Sequence, residues 1–519
     1  MPNSNVRELE NSERTPVPGA QVIGVYPQDE QIEVTIRLKS EPSADFHSKV
    51  LPAGKLGALP LQERTYLNRT EFEKCYEASS SDINAVTQFA ESFGLIEVGS
   101  CGAGRLLRFT GSVAEMESAF EITLLRYSYR FGEYRGYVGK LKVPVAVWGS
   151  IEGVFGLDTR KQSKPILATT SKMPLQGNSQ SVLQHLIECY QFPQGWNGGG
   201  ETIGILEFGG QFLLQDYAAY FQQTNLGSPL PLEVGTVPQA TTPRDDLEVA
   251  LDVEVAGTVA PGAQTVVYFA PNTDKGWVDG LCAAVYDKKN NPTILSISWG
   301  KTEDGWGEDT RDVVNQILME AAQLGVTVCA ASGDDGCALN KNGEARVIFP
   351  ASSPYVLSCG GTAFRKDKGE VVWNDGARSA TGGGESTVAP RPDWQKTLLP
   401  KQPQIGRLLP DVAGLAARRY SIYSRGGYVN GVGGTSAVAP LWAGLIACMN
   451  QDLQRRPIPS RVGYFNPLLY NTPALQKTFN DIVFGNNGLN GNVGFQATAG
   501  WDECTGWGTP KGQALLNAL

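Results

Sequence analysis

Histidine is nearly absent from this 519-residue chain: it has two, His47 and His185. Neither sits in a motif that would make it a catalytic base, which leaves a hydrolase of the serine–histidine–aspartate kind without its proton acceptor. Long apolar runs are missing as well. The best, Ala437 to Met449, is too short to cross a bilayer and contains Pro440. Nine cysteines occur without a Cys-x-x-Cys pair, so neither a zinc site nor a disulfide framework emerges, and the odd number leaves at least one out of intramolecular pairing. Cys329, Cys359 and Cys448 lie in apolar runs and are expected as core thiols. Positive charge is not in excess; the net charge of −9 argues against nucleic acid or an anionic membrane as partner. The segment from Met1 to Glu10 lacks the apolar centre of a secretory signal. What remains is a large acidic chain, too long for one typical domain.

Three short motifs carry the chemistry. Gly434-Thr435-Ser436-Ala437-Val438-Ala439-Pro440 sets a serine ahead of a run of small and apolar residues suited to a buried helix, the way subtilisin-like proteases present their nucleophile. Between Asp245 and Ala256 the apolar residues and the lack of Gly or Pro predict a helix. Glu248 and Asp252, four positions apart, share one face of it, so one carboxylate can take the serine proton while the other orients the first. Alone, such a pair reads as an acidic face near a helix N-terminus. The third motif, Ala331-Ser332-Gly333-Asp334-Asp335-Gly336, follows the buried-strand run from Gly325 and forms a turn at the strand's carboxyl end, where open parallel sheets place their sites. In isolation it is an ordinary surface turn.

Together these stretches resemble the sedolisins, the serine-carboxyl peptidases, and within them the kumamolisin type. The likeness runs from about Tyr190 to the C-terminus and includes Gly204–Gly210, Val267–Asn272, Ser296–Gly300 and Gly500–Gly506 in the same order. It implies an α/β, subtilisin-like parallel-sheet domain in which Ser436 is the nucleophile, Glu248 the general base and acid, and Asp252 its orienting partner. Asp334 would share the oxyanion hole with the Ser436 backbone N–H. Glu207 and Trp299 match positions that extend the hydrogen-bond network behind Asp252, although Trp299 also suits core packing. A free glutamate side chain titrates near about 4.3 and is a usable base in acid, and an aspartate donates to an oxyanion only while protonated, near or below about 3.9. An acid optimum with decline toward neutrality is therefore expected.

Residues 1–160 read as a separate α+β domain. Gln31–Leu38 is strand-like, Ser81 opens a helix to Phe93, Leu95–Val98 and Leu106–Phe109 are strand-like, Ser112 and Glu115 make a capping box, and Ile122–Tyr129 supplies the last strand. That order is the split βαβ, ferredoxin-like pattern, which subtilisin-like propeptides use as chaperone and inhibitor; a ligand-binding domain of that fold is the plainer alternative. Residues 161–180 are polar and aperiodic, a linker expected to hold the activation cleavage, with residues 181–519 forming the peptidase domain.

Near the C-terminus, Asp481 and Asp502 flank a loop rich in Gly and Asn. Such loops usually only turn, but two carboxylates with backbone carbonyls suit a hard cation. The resemblance implies one structural calcium ion held by the side chains of Asp481 and Asp502 and the carbonyls of Ile482, Thr498 and Gly500. Thr498 stands where the kumamolisin type has a glycine. Val347–Ala351 matches the segment lining the pocket for the residue before the cut bond. Some members carry an acidic residue where Ile348 stands, so apolar or aromatic side chains are expected to be favoured over Arg or Lys. The resemblance also implies an extracellular location and protein or peptide substrates. A tripeptidyl-peptidase of the same family and a non-catalytic binding protein retaining the fold are the alternatives. A glycosidase is disfavoured, because adjacent-turn carboxylates on one helix do not flank a sugar bond from opposite sides.

Overall fold

The computed structural model of the chain describes residues 5–40, 50–102, 104–169, 179–224, 231–235, 242–339, 345–376, 378–398, 405–491 and 494–519. His47, residues 1–4 of the N-terminal segment, residues 170–178 of the linker and residues 492–493 of the Gly/Asn loop lie outside them.

The N-terminal region is built on β1 (Gln31–Leu38), α1 (Ser80–Ser92), β2 (Ile96–Cys101), β3 (Leu106–Ser112), α2 (Val113–Phe120) and β4 (Ile151–Phe155). The strands form one antiparallel sheet in the order β2-β3-β1-β4, the split βαβ arrangement. Alternation along β1 sends Ile32, Val34, Ile36 and Leu38 into a core shared with Val86, Phe89, Met116 and Phe120 of the two helices. The α2 capping box forms: the Ser112 hydroxyl accepts from the Glu115 N–H and the Glu115 carboxylate accepts from the Ser112 N–H. One strand expectation is corrected. Leu125–Tyr129 is extended, but it joins a separate three-stranded sheet with Gln21–Val25 and Gly132–Gly136. The strand that completes the split βαβ sheet is β4, because β4, and not Leu125–Tyr129, bonds to the free edge of β1.

The C-terminal half of the opposite face of β1, Thr35 and Arg37, is covered by the C-terminal region, and so is polar and buried at once. Arg37 and Arg105 both donate to Glu320, which also accepts from the Tyr286 hydroxyl at 2.7 Å. Thr35 donates to Asp279, and Lys275 pairs with Glu33 and Asp279. Phe72, Tyr76, Leu106 and Phe155 meanwhile extend the C-terminal region's apolar core.

Beyond the linker strands β5 (Lys164–Pro165) and β6 (Ala168–Thr169) come β7 (Thr202–Glu207), β8 (Leu232–Gly235), α3 (Pro243–Val259), β9 (Gln264–Phe269) and α4 (Asp274–Val285). Then follow β10 (Ile294–Ile297), β11 (Trp299–Thr302), α5 (Glu308–Gln323), β12 (Thr327–Ala331), β13 (Leu357–Arg365), β14 (Gly369–Val372), β15 (Val412–Leu415), β16 (Gly427–Gly433) and α6 (Val438–Leu453). A twisted parallel sheet runs β8-β9-β7-β10-β12-β13, with β15 parallel and β14 antiparallel on β13. Its central strands are largely apolar and buried almost along their whole length, as strands covered on both faces require. The apolar α6 packs on β10, β12 and α3, buried as expected. Cys329, Cys359 and Cys448 are buried thiols. No described helix is long and apolar enough to cross a membrane.

Candidate active site

Helix α3 starts at Thr242, whose hydroxyl accepts from the Asp245 N–H at 3.1 Å, with Pro243 in the first turn. A cap of this kind contributes about 1 kcal/mol and Pro suits the first turn, so the helix start is well fixed. Glu248 and Asp252 then fall one turn apart on a helix buried from Asp246 onward. Glu207 ends β7 and accepts from the Trp299 indole N–H at 2.7 Å, while Trp299 also packs edge-on against Phe208. All three carboxylates are 0 % exposed, and both oxygens of Glu248 and of Asp252 lack a hydrogen-bond partner among the described residues. Burial raises Glu207, Glu248 and Asp252 well above the usual carboxylate range, and the charges of Asp252 and Glu248 add to the effect on Glu207. On Glu248, burial comes first and the Asp252 charge second, opposed by the nearby Ser436 hydroxyl and by Arg244. Like charges this close cannot all ionise.

Ser436 sits in a 3-10 turn, Thr435–Ala437, between β16 and α6. Gly434 ahead of it has φ +107°, and a Cβ there would strike the Asp334 carboxylate, so the turn requires glycine. Asp334 follows β12 and accepts through Oδ1 from the Thr435 N–H at 2.8 Å and the Thr435 hydroxyl at 3.0 Å. Its second oxygen, facing Gly434, has no partner among the described residues. Burial pushes Asp334 up to about 7 against the two bonds from Thr435.

Residues 164–169 of the linker lie in this cleft. Lys164 pairs with Gly300 and Pro165 with Trp299 on β11, and Ala168 pairs with Gly433 and Thr169 with Val432 on β16. Between the two pairings the Ile166 carbonyl oxygen accepts from the Ser436 hydroxyl in a very short contact and from the Ser436 N–H at 3.3 Å. The Ile166 N–H donates to the Ser298 carbonyl at 2.9 Å, and Arg244 donates to the Leu167 carbonyl at 2.6 Å. The Ile166 and Ile348 side chains meet at Gly300, where a Cβ would lie 3.3 Å from one terminal methyl and 3.0 Å from the other. The linker and the C-terminal region thus converge on one serine, with a peptide carbonyl already held at it.

Each residue expected at the centre is in this cluster: Ser436, Glu248, Asp252, Asp334, Glu207, Trp299 and Ile348. Sequence reasoning placed the activation cleavage in the linker but gave no role to Arg244, Thr435 or Ser298 and did not name the bond held at Ser436. Arg244 and Thr435 adjoin the motifs, so their proximity was a usable signal; Ser298 contributes both its carbonyl, which carries no signal, and its hydroxyl, which donates to the Ser436 carbonyl at 3.3 Å. His185 contacts Cys189 and Phe364, away from the cleft.

Asp481 and Asp502 both bond to the backbone around residues 498–505. Asp481 Oδ2 accepts from the Gly500 N–H at 2.8 Å, and Asp502 accepts from the N–H groups of Thr498, Cys504 and Thr505 at 2.9–3.0 Å. Both carboxylates therefore bear on one short turn, beside the carbonyls of Thr498 and Gly500. Two carboxylates with backbone oxygens fit calcium; no group of three acidic, Cys or His side chains suited to a metal occurs among the described residues.

The chain has relatives among known proteins. A family described as the Pro-kumamolisin activation domain matches residues 18–160, and the subtilase family matches residues 240–462. The chain is 38% identical to Kumamolisin of Bacillus sp. (strain MN-32), over 98% of this chain and 95% of that one. It is 27% identical to Tripeptidyl-peptidase sed5 of Aspergillus fumigatus, over 92% and 91% of the two chains. Among solved structures, Pseudomonas sedolisin, a serine-carboxyl proteinase complexed with two molecules of pseudo-iodotyrostatin, superposes with a TM-score of 0.58 at 27% identity, covering 66% of this chain and 98% of that one.

Proposed function

The chain belongs to the sedolisin family of serine-type peptidases, in its kumamolisin type, and from that premise we propose that it is the self-processing zymogen of an acid-acting endopeptidase. The observation that carries the proposal is the Ile166 carbonyl resting on both the hydroxyl and the N–H of Ser436.

Ser436 attacks the Ile166 carbonyl carbon and its proton passes to Glu248. The new oxyanion is met by the Ser436 N–H and by a protonated Asp334; Glu248 then gives the proton to the Leu167 nitrogen as the Ile166–Leu167 bond breaks. Water, activated by Glu248, hydrolyses the acyl-enzyme. The buried trio holds at most one charge, and that charge sits best on Glu248, because the Ser436 hydroxyl and Arg244 favour it there. Asp252, backed by Glu207 and Trp299, keeps its proton and orients Glu248. Turnover thus needs an ionised Glu248 and a protonated Asp334: loss of the Asp334 proton, near 7, sets the neutral limb, and protonation of Glu248, held up by burial, sets the acid limb. Peptidase action in acid suits an extracellular site, in keeping with the kinship.

Residues 1–160 act as propeptide, 161–180 as linker and 181–519 as the peptidase. Endopeptidase action is supported by the linker's path: beyond Ile166, Pro165 and Lys164 it continues through Ser163 and Gln162, whose N–H groups bond to Asn272. A cleft closed after three residues, as tripeptide removal requires, would stop it. Ile348 favours an apolar residue before the cut bond. Asp481, Asp502 and the carbonyls of Ile482, Thr498 and Gly500 would hold a calcium ion, which pins the loop without touching substrate.

The test is a panel of internally quenched peptides with acetylated N-termini, read from pH 3 to 8 beside Ser436→Ala. Cleavage after Ile, Leu or Phe in acid, absent from the variant, supports the proposal. Cleavage only of free N-termini would make the enzyme a tripeptidyl-peptidase, and equal or faster cleavage after Arg would remove the role given to Ile348.

A further inference from the structure

The contact between the two regions contains a pair of thiols that peptide hydrolysis does not use. Cys101 ends β2 of the propeptide sheet, and Cys282 lies in α4 of the peptidase domain. Their sulfurs are 3.0 Å apart, inside ordinary van der Waals contact, and both are free thiols in this structure. A disulfide has sulfurs about 2.05 Å apart, so closing the bond takes a movement of about 1 Å.

The surroundings fix the pair in place. Lys275, Asp279 and Cys282 follow at helical spacing and all face the propeptide: Lys275 pairs with Glu33, Asp279 accepts from Thr35, and Cys282 meets Cys101. Gly102, with φ +59°, turns the chain directly over Cys282; a Cβ there would lie 2.8 Å from its sulfur. Cys282 is fully buried, whereas Cys101 is partly exposed and offers the entry point.

We propose that Cys101 and Cys282 form a redox latch: oxidised by a low-molecular-weight disulfide, they bond the propeptide covalently to the peptidase domain and hold it after the linker is cut. In the first step the Cys101 thiolate attacks the external disulfide, leaving a mixed disulfide and releasing one thiol. Cys282 then gives its proton to solvent and attacks the Cys101 sulfur, releasing the second thiol. Two protein thiols are oxidised and one external disulfide is reduced to two thiols. The hydrogen bond from the Cys282 thiol lowers the Cys101 pKa while burial pushes Cys282 up, so Cys101 makes the first attack and Cys282 the slower second one. Acid weakens ion pairs such as Glu33–Lys275 but leaves a disulfide intact, so release of the inhibitor would require reduction as well as acid.

This inference rests on the proposed zymogen, and its test separates the two. Full-length Ser436→Ala is treated with oxidised glutathione at pH 8, digested without reduction, and its peptides are mapped by mass. A cross-linked Cys101–Cys282 peptide is expected in most molecules, and none in Cys101→Ser. Both thiols left free while the exposed Cys189 is glutathionylated would overturn the proposal, whatever the protein's activity. Wild-type protein, oxidised or reduced, is then acidified and assayed. At least tenfold less activity from the oxidised form is expected, restored by a phosphine reductant, with no difference in Cys101→Ser. If wild-type protein cleaves nothing, trypsin is used to cut the linker. On a denaturing non-reducing gel the two fragments should then migrate together in the oxidised protein alone. A disulfide that forms yet leaves activation, or fragment separation, unchanged would refute the latch.

Discussion

Glu320 and Glu248 are both carboxylates sealed from solvent, and the molecule treats them in opposite ways. Glu320 stands between Arg37 and Arg105 and accepts from Tyr286; despite burial it is held below the ordinary glutamate range by the two arginines. Glu248 has no ion pair and no hydrogen-bond partner among the described residues, and burial beside Asp252 raises it. The first arrangement is a clamp: a charge buried with its counter-charges, tying propeptide to peptidase. The second stores protons. What separates a structural carboxylate from a catalytic one here is direct ion pairing, which Glu320 has and Glu248 lacks among the described residues, not the depth of burial.

The comparison can be broken at either end. The largest effect is expected at Asp334. Asp334→Ala removes a donor aimed at the developing oxyanion and should lower kcat about 100- to 1,000-fold. Asp334→Asn, which donates without titrating, should retain more activity and move the neutral limb, placed near 7 in the parent, to higher pH. A pH–rate profile of the three proteins checks both statements; an unchanged neutral limb in Asp334→Asn would remove Asp334 as its cause.

Next is the clamp. Glu320→Gln leaves Arg37 and Arg105 buried without their charge and should cost about 3–5 kcal/mol, read as a lower denaturation midpoint of the full-length chain. Glu320 touches no catalytic group, so the activity of the separated peptidase domain should be unchanged.

Stability against pH sharpens the contrast further. Glu207, Glu248, Asp252 and Asp334 have folded values above their unfolded ones, so the folded state binds more protons than the unfolded between those values. Their contribution is fully present below about pH 4, near the unfolded values, and declines as pH rises through the folded ones. The Tm of Ser436→Ala should therefore fall from pH 5 to pH 8, less steeply in a Glu248→Gln/Asp252→Asn background. The smallest effect concerns the proposed calcium. A chelator should lower Tm by a few degrees, and Asp502→Asn should abolish that sensitivity.

Much of the site was legible because its signals are local. The apolar residues from Asp245 to Ala256 mark α3, although its start at Thr242 and Pro243 was not read, and a spacing of four puts Glu248 above Asp252. The turn at Ser436 needs Gly434 and small neighbours, and its sequence says so. Pairing between distant segments was not legible. Leu125–Tyr129 and Ile151–Phe155 are equally strand-like, and what selects the second for the split βαβ sheet is the open edge of β1, some hundred residues earlier. The linker looks structureless because its hydrogen-bond partners, on β11 and β16, lie far along the chain. Arg37 and Arg105 likewise look like surface residues until Glu320 covers them.

The central claim is that the linker is this peptidase's first substrate. Full-length protein and Ser436→Ala, incubated from pH 3 to 7 and read by intact mass, test it most directly. The account predicts cleavage between Ile166 and Leu167 in acid for the parent, and an uncut chain for the variant at every pH. Equal cleavage of both proteins, or none in either, would contradict it.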